Sequence, residues 1–357
     1  MSATDIRNLH VLCCLQALGQ LTSLTALSIS QHTIDRFVRF SYQGPSDQLP
    51  ASDLACLSCL TALRCLTFEG TVAGPLPPEA LSALQQLTSL DMTLPAFPRQ
   101  GESLDGWVGQ KQHLGSEHLA PLTALRRLRL AGAEPHLSEQ QALAAWQQLE
   151  ELRLIQLPQL VRIQPSLAQA GFWPALPCLP CLTLLEVHDV AGAPSQVLSA
   201  SLPTRLASLQ LRPPYMDYTF TGSGLAPLPP TLTALELKAQ AALQALPVSP
   251  SLQRLVLISA QPLPQWPDST SAMVQLTGLY LSCPLAELPA PLASLPAVEV
   301  LQLDDSGAGL SVLPQALACV GSLRQLAIRG PYNYLTGVPA VLGGGAASRL
   351  EHLDLGD

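Results

Sequence analysis

Charge is scarce in this chain. Charged residues are 12% of its 357 positions, about half the quarter usual in soluble domains. Only 18 are Lys or Arg against 26 Asp or Glu, a net charge of −8. Binding to nucleic acid rests on clustered cations, so this balance excludes a nucleic-acid partner. Aromatics are rarer still at 4%. Mean hydropathy is positive, +0.27, yet no apolar run approaches the roughly 18 residues that cross a bilayer, which excludes a helical membrane span. The opening MSATDIRNLHVLCCLQALG sets Asp5 ahead of a very short apolar run, and this predicts a first-repeat helix rather than a signal peptide.

Catalytic signatures are missing as well. The chain holds no GxSxG, GxxxxGK[ST] or HExxH, and Gly343-Gly344-Gly345 lacks the Lys and hydroxyl of a phosphate loop, so it reads as a turn. Glu186, His188 and Asp189 form the nearest approach to an acid–base cluster, but Glu186 and His188 flank Val187 and are predicted to face solvent. The expectation is a protein that is not an enzyme and needs no cofactor. Nine cysteines include Cys56-x-x-Cys59 and Cys178-x-x-Cys181. Two such pairs in a small domain would suggest zinc. Here they fall in the second and sixth repeats, roughly 19 Å apart at about 4.8 Å per strand, too far for one ion. They read, with Cys13, Cys14, Cys65, Cys283 and Cys319, as reduced structural or surface thiols, and no metal site is expected.

Repetition is what the chain has in abundance. LTALRRLRL has near copies throughout, each closed by a Leu-x-Leu pair or a close substitute: TALSI, RCLTF, TSLDM, RRLRL, EELRL, LLEV, ASLQL, TALEL, QRLVL, TGLYL, EVLQL, RQLAI and EHLDL. Nine of the twelve gaps between first leucines are 20 to 27 residues, and the others are 33, 38 and 39. In LACLSCLTALRCLTF the anchors Leu54, Leu57, Leu60, Leu63 and Leu66 fall three apart, and Leu66 and Phe68 then fall two apart. Spacing of three turns one face of a helical segment inward, and spacing of two marks a strand with alternate side chains buried. Each unit is thus a helix or turn followed by a short strand. Alone it cannot cover its leucines, but stacked units share a core in which each leucine contributes about 2 kcal/mol.

On these phrases the chain resembles the leucine-rich-repeat family over about residues 9–355. The Leu-Pro openings at Leu228, Leu246, Leu288 and Leu313 are similar to the intracellular plant and algal style. The resemblance implies one α/β solenoid domain, 1–357, a curved horseshoe of about thirteen repeats with a parallel sheet on its concave face and short helices or turns on its convex face. The strands are predicted near 27–29, 66–68, 90–92, 128–130, 152–154, 185–187, 209–211, 235–237, 255–257, 279–281, 301–303, 326–328 and 353–355. The family places Asn or Cys three residues after the second Leu of each pair. Here those positions hold other residues, from His32 and Thr71 to Pro284 and Pro331, so the asparagine ladder is absent.

Two surfaces are candidates for a protein partner. The first is the concave face of the fourth to ninth repeats and beyond, with Arg127, Arg129, Glu151, Arg153, Glu186, His188, Arg212, Glu236, Lys238, Arg254 and Tyr280. Arg127, Arg129 and Arg153 are its expected anchors, because a guanidinium offers planar, bidentate contacts. The plainer reading is a solvated face whose opposite charges pair across strands. The second is a rim of inserted loops carrying Phe40, Tyr42, Trp107, Trp173, Tyr215 and Tyr218, whose plainer reading is that each loop tucks its aromatics onto its own repeat. The function expected is a scaffold or interaction module in the cytoplasm or an organelle interior. Its alternatives are a structural subunit of a large assembly and the sensing region of a longer receptor. SRLEHLDLGD leaves the last strand without a polar cap, which predicts self-association or a partner at that edge.

Overall fold

The computed structural model describes residues 4–7, 20–30, 49–70, 72–73, 75–94, 113–132, 134–136, 140–155, 173–188, 197–198, 201–212, 227–239, 249–259, 272–283, 295–304, 320–329 and 349–354. The chain forms two compact units, 1–190 and 191–357. Unit 1 contains β1 (Thr4–Arg7), β2 (Ala26–Ser30), β3 (Leu49–Pro50), β4 (Cys65–Glu69), β5 (Val72–Ala73), β6 (Ser89–Thr93), β7 (His113–Gly115), β8 (Arg127–Ala131), β9 (Glu134–His136), β10 (Glu151–Ile155) and β11 (Leu184–His188). Its main sheet runs in the order β1-β2-β4-β6-β8-β10-β11, all parallel. Two short parallel pairs, β3 with β5 and β7 with β9, stand outside it. Unit 2 contains β12 (Ser208–Arg212), β13 (Ala234–Ala239), β14 (Arg254–Ser259), β15 (Gly278–Ser282), β16 (Val300–Asp304), β17 (Gln325–Arg329) and β18 (His352–Asp354), also parallel and in sequence order. Each unit is a leucine-rich-repeat solenoid.

The spacings in the sequence have direct counterparts. Where leucines stand three apart, the backbone makes 3-10 turns: Leu60, Leu63, Leu84, Leu87, Leu122 and Leu125 each donate an N–H to the carbonyl three residues earlier, at 2.9 to 3.2 Å. Where they stand two apart, the strand alternates. The Leu pairs of β8, β10, β12 and β14 are at most 2% exposed, whereas their neighbours face outward. Among the described residues of unit 1 the helices are short: α1 (Pro78–Ser82), α2 (Ser116–Leu119) and α3 (Gln140–Ala145), with 3-10 segments at Ala51–Cys59 and Trp173–Cys178.

Register is held by a column of carbonyls at the strand entrances. The carbonyl of the residue just before a strand accepts two N–H groups from the next repeat, at 2.8 to 3.1 Å. In unit 1 the acceptors are Thr25, Arg64, Thr88, Arg126 and Glu150, and in unit 2 they are Ala207, Thr233, Gln253, Thr277, Glu299 and Arg324. Where the incoming residue is threonine, its hydroxyl donates to the same oxygen: Thr88 to Arg64, Thr183 to Glu150, Thr233 to Ala207 and Thr277 to Gln253, at 3.0 to 3.1 Å. Main-chain groups and threonines therefore connect the repeats without an asparagine ladder. At three strand exits in unit 1 the linkage is also main chain: Gly70, Leu94 and Gly132 donate to the carbonyls of Thr93, Ala131 and Ile155. Gly132 does so at φ 74°, a conformation that glycine adopts without strain.

Two expectations need correction here. Thr4–Arg7 is not the start of a first-repeat helix but a strand, paired in register from Thr4↔Leu27 to Arg7↔Ser30. It satisfies the outer edge of β2, whose backbone groups would otherwise lack a ladder partner. Trp173 is not a rim residue. It begins a 3-10 segment and is 2% exposed, buried together with Ala175 and Leu176 of the same segment. Trp146, in the spacing-of-three series, is fully buried, with Nε1 donating to the Leu119 carbonyl at 3.1 Å. In β18 the last described apolar residue, Leu353, is 40% exposed.

Candidate functional site

Alternation along each strand leaves one face of each sheet open, the face predicted to be concave, and register turns its side chains into rows. In unit 1 the central row reads Thr67, Asp91, Arg129, Arg153, Glu186. Arg129 and Arg153 are direct neighbours, a like-charge contact that on its own disfavours the sheet. Each is drawn the other way. Arg129 bonds the Asp91 carboxylate at 2.8 Å and the Thr93 hydroxyl at 3.0 Å. Arg153 lies 3.4 Å from both Glu151 and Glu186. In the row beside it, Arg127 faces Glu151 at 3.7 Å. His188 Nε2 is 3.2 Å from Glu186.

Glu186 is the correction on this face. It was expected to be exposed, but it is buried, because Arg153 and His188 close over it from two sides. The unit 1 face thus carries two sets of ion pairs, one of Asp91 with Arg129 and one of Glu151, Arg153 and Glu186 with Arg127 and His188. Asp91 and Thr93 belong to it although they were not singled out. Asp91 was legible, since TSLDM sets it in register with Arg129.

The face of unit 2 is built differently. Arg212 and Glu236 form a close pair, Nε to Oε1 at 2.5 Å. Beyond them, Val256 and Ile258 are half-buried apolar residues, and Arg254 stands over the Tyr280 ring, 5.1 Å from its centre. Lys238 is half-exposed beside Ile258. Further along, Gln302 donates to Asp304 at 2.8 Å, and Arg329 places two donors on one oxygen of Asp354, at 2.9 and 2.7 Å. That bond and the Asp354 charge raise the affinity of Arg329 for its proton. Arg329 was not singled out; Asp354, in register with Ala327 on the next strand, was the available signal.

Of the predicted rim, Phe40, Tyr42, Trp107, Tyr215 and Tyr218 lie outside the described residues. The described cysteines, Cys56, Cys59, Cys65, Cys178, Cys181 and Cys283, are free thiols. Among the described residues no helix is long and apolar enough to cross a membrane. What the two faces offer is an ordered display of charged, amide and aromatic groups.

Neither a protein-family model nor a curated protein sequence matches the chain. Solved structures do match in fold. An internalin from Listeria monocytogenes aligns over 97% of this chain and 95% of its own, with 15% identity and a TM-score of 0.53. The Toll–Spatzle complex of Drosophila aligns over 99% of this chain at 15% identity and a TM-score of 0.55. The chain spans 43% of that second protein. At such identity the likeness is one of fold, and the fold is the leucine-rich repeat.

Proposed function

We propose that this protein is a non-catalytic protein-binding module whose partner docks on the open faces of its sheets. The observation that carries the reading is the in-register array on short, hydrogen-bonded parallel strands. Asp91, Arg129, Arg153 and Glu186 in unit 1, and Glu236, Arg254 and Tyr280 in unit 2, are fixed before a partner arrives. Side chains ordered in advance cost a complex less entropy. Toll, one of the proteins similar in fold, is seen in a complex with Spatzle, which favours a protein as the ligand class. We propose the inserted loops carrying Phe40, Tyr42, Trp107, Tyr215 and Tyr218 as a second contact for the partner. We place the protein in the cytoplasm or an organelle interior, where free Cys56, Cys59, Cys178 and Cys181 stay reduced.

Site-specific photo-cross-linking tests the reading. A benzophenone side chain at Thr67 or Gln302, both on open faces, should trap one protein species from native extract. The same group at Gln147 or Gln275, exposed turn residues, should not. Trapping confined to the turn positions would overturn it.

A further inference from the structure

The arginines of the open faces are not equally available. Arg127, Arg129, Arg153, Arg212 and Arg329 each face a carboxylate of their own chain, at 3.7 Å or less. Arg254 is exposed and has no ion-pair partner among the described residues. Its row explains why: across β13, β15 and β16 its neighbours are Ala234, Gly278 and Val300, none of which can carry charge. What holds it is the ring of Tyr280. The nearest carboxylate in the adjoining row, Glu236, is engaged by Arg212.

We infer that Arg254, Tyr280 and Gly278 form a receptor for the carboxylate of an Asp or Glu side chain on an extended segment of a partner protein. The inference rests on the protein-binding reading and names the chemistry of one contact. Gly278 is the floor. A Cβ there would meet Tyr280 Cε2 at 3.4 Å and Arg254 Cγ at 3.9 Å, so the ring and the arginine stem occupy space that a larger side chain would need. A guanidinium over a ring face keeps its in-plane N–H donors at its edge, where a carboxylate accepts two of them. The stacked arginine has already lost much of its rotamer freedom, so less is lost when it binds. Val256, in register with Tyr280, and Ile258 on the same strand are half-buried and offer apolar contact to the residues flanking the acid. The net charge of −8 does not forbid an acidic ligand, because physiological salt screens charge beyond about 8 Å.

Fluorescence anisotropy with labelled peptides of the whole chain's binding tests this. The probes are a short extended peptide with one Glu between valines, its Gln counterpart, and inorganic phosphate as competitor. The Glu peptide should bind at least about tenfold more tightly than the Gln peptide. Arg254→Gln should remove that preference, and Tyr280→Leu should weaken binding of the Glu peptide several-fold, both with unchanged thermal melts. Arg329→Gln should bind like wild type, and phosphate should not compete at concentrations that leave the Glu peptide bound. Equal affinity for the two peptides, an Arg254→Gln variant that keeps the preference, or displacement by phosphate would overturn the inference. So would failure of the Glu peptide to bind wild type. Any of these would leave the docking reading to its own cross-linking result.

Discussion

On its open face unit 1 pairs Arg127, Arg129 and Arg153 with its own carboxylates, whereas unit 2 leaves Arg254 on display. Both repeat the same Leu-x-Leu strand and the same carbonyl column, so the difference lies wholly in residues that the fold does not dictate. In unit 1 the outward positions of β6, β8, β10 and β11 bring Asp91, Arg129, Glu151, Arg153, Glu186 and His188 within reach of one another. In unit 2 the corresponding positions of β14 and β15 are Arg254, Val256, Ile258, Gly278 and Tyr280, and the cation settles on a ring instead of a carboxylate. A repeat fixes where a side chain stands, and its neighbours one strand away decide whether it holds the sheet or meets a ligand. The interiors differ too. Unit 1 admits Phe68, Met92, Trp146 and Trp173 among its leucines, and the strand pairs of β12 to β15 are leucine throughout.

The largest effect should come from the interior. Trp146 in unit 1 and Met273 in unit 2 occupy the same slot, each fully buried and each accepting the N–H of a leucine three residues on. Trp146→Ala should cost about 3–5 kcal/mol, and Met273→Ala about 2–3 kcal/mol. The tryptophan adds volume and the bond from Nε1 to the Leu119 carbonyl. Urea melts measure both losses, and hydrogen exchange at 127–131 and 151–155 should rise in the Trp146 variant. Equal costs would show that the indole bond adds nothing to the slot.

Next comes the contrast between the two open faces. Arg153→Met leaves the buried carboxylate of Glu186 with His188 alone, and should destabilise by about 1–3 kcal/mol. Arg254→Met loses only an exposed cation–ring contact, about 1 kcal/mol or less. Adding Glu186→Gln to Arg153→Met should recover part of the loss, since no unpaired charge then remains. If the two arginine variants melt alike, the division into structural and displayed arginines fails.

The repeat and both sheet faces were legible because burial has a period. Leu54, Leu57, Leu60, Leu63 and Leu66 state the turn and the strand in their spacing alone. Trp173 was misread because its loop position suggested display, whereas it is buried with Ala175 and Leu176 of its own 3-10 segment. Glu186 was misread for a related reason. Alternation puts it outward, but its exposure is set by Arg153 and His188 lying over it, and such cover comes from side-chain geometry between strands. Arg254 and Tyr280 were both on the candidate face. Their stacking is a contact between neighbouring strands that no pattern along the chain records.

Cysteines give a smaller, pH-dependent comparison. Cys283, just after β15, is 1% exposed, and burial pushes its thiol from an ordinary 9.0 up to about 11. Cys56 in unit 1 is raised as well, by burial first and then by the neighbouring Cys59 and Asp53. A folded-state pKa above the unfolded value means that the fold favours the neutral thiol. Its contribution is complete below pH 9 and is lost as pH rises from there through about 11. Cys283→Ala should therefore flatten the fall in stability between pH 9 and 11, measured by urea midpoints. Exposed Cys59, Cys65 and Cys178 should take up a thiol reagent at pH 8 well before Cys283 does. A Cys283 labelled as fast as Cys65 would show that this strand end opens readily.

The threonines at the strand entrances should matter least, and equally in the two units. Thr88 donates to the Arg64 carbonyl at 3.0 Å, and Thr277 to that of Gln253 at 3.1 Å. Both carbonyls already accept two backbone N–H groups, and Thr88 is half-exposed and Thr277 exposed, so water can satisfy the groups once the bond is lost. Removing a donor under those conditions leaves no buried group unpaired. Thr88→Val and Thr277→Val should each cost about 0.5 kcal/mol or less. These sites lie in separate repeats, so combining them with Thr183→Val and Thr233→Val should add to about 2 kcal/mol at most. A fourfold variant that melts far below this sum would mean that the hydroxyls, and not the main-chain pairs beside them, replace the missing asparagines. A difference between Thr88→Val and Thr277→Val would locate that dependence in one unit.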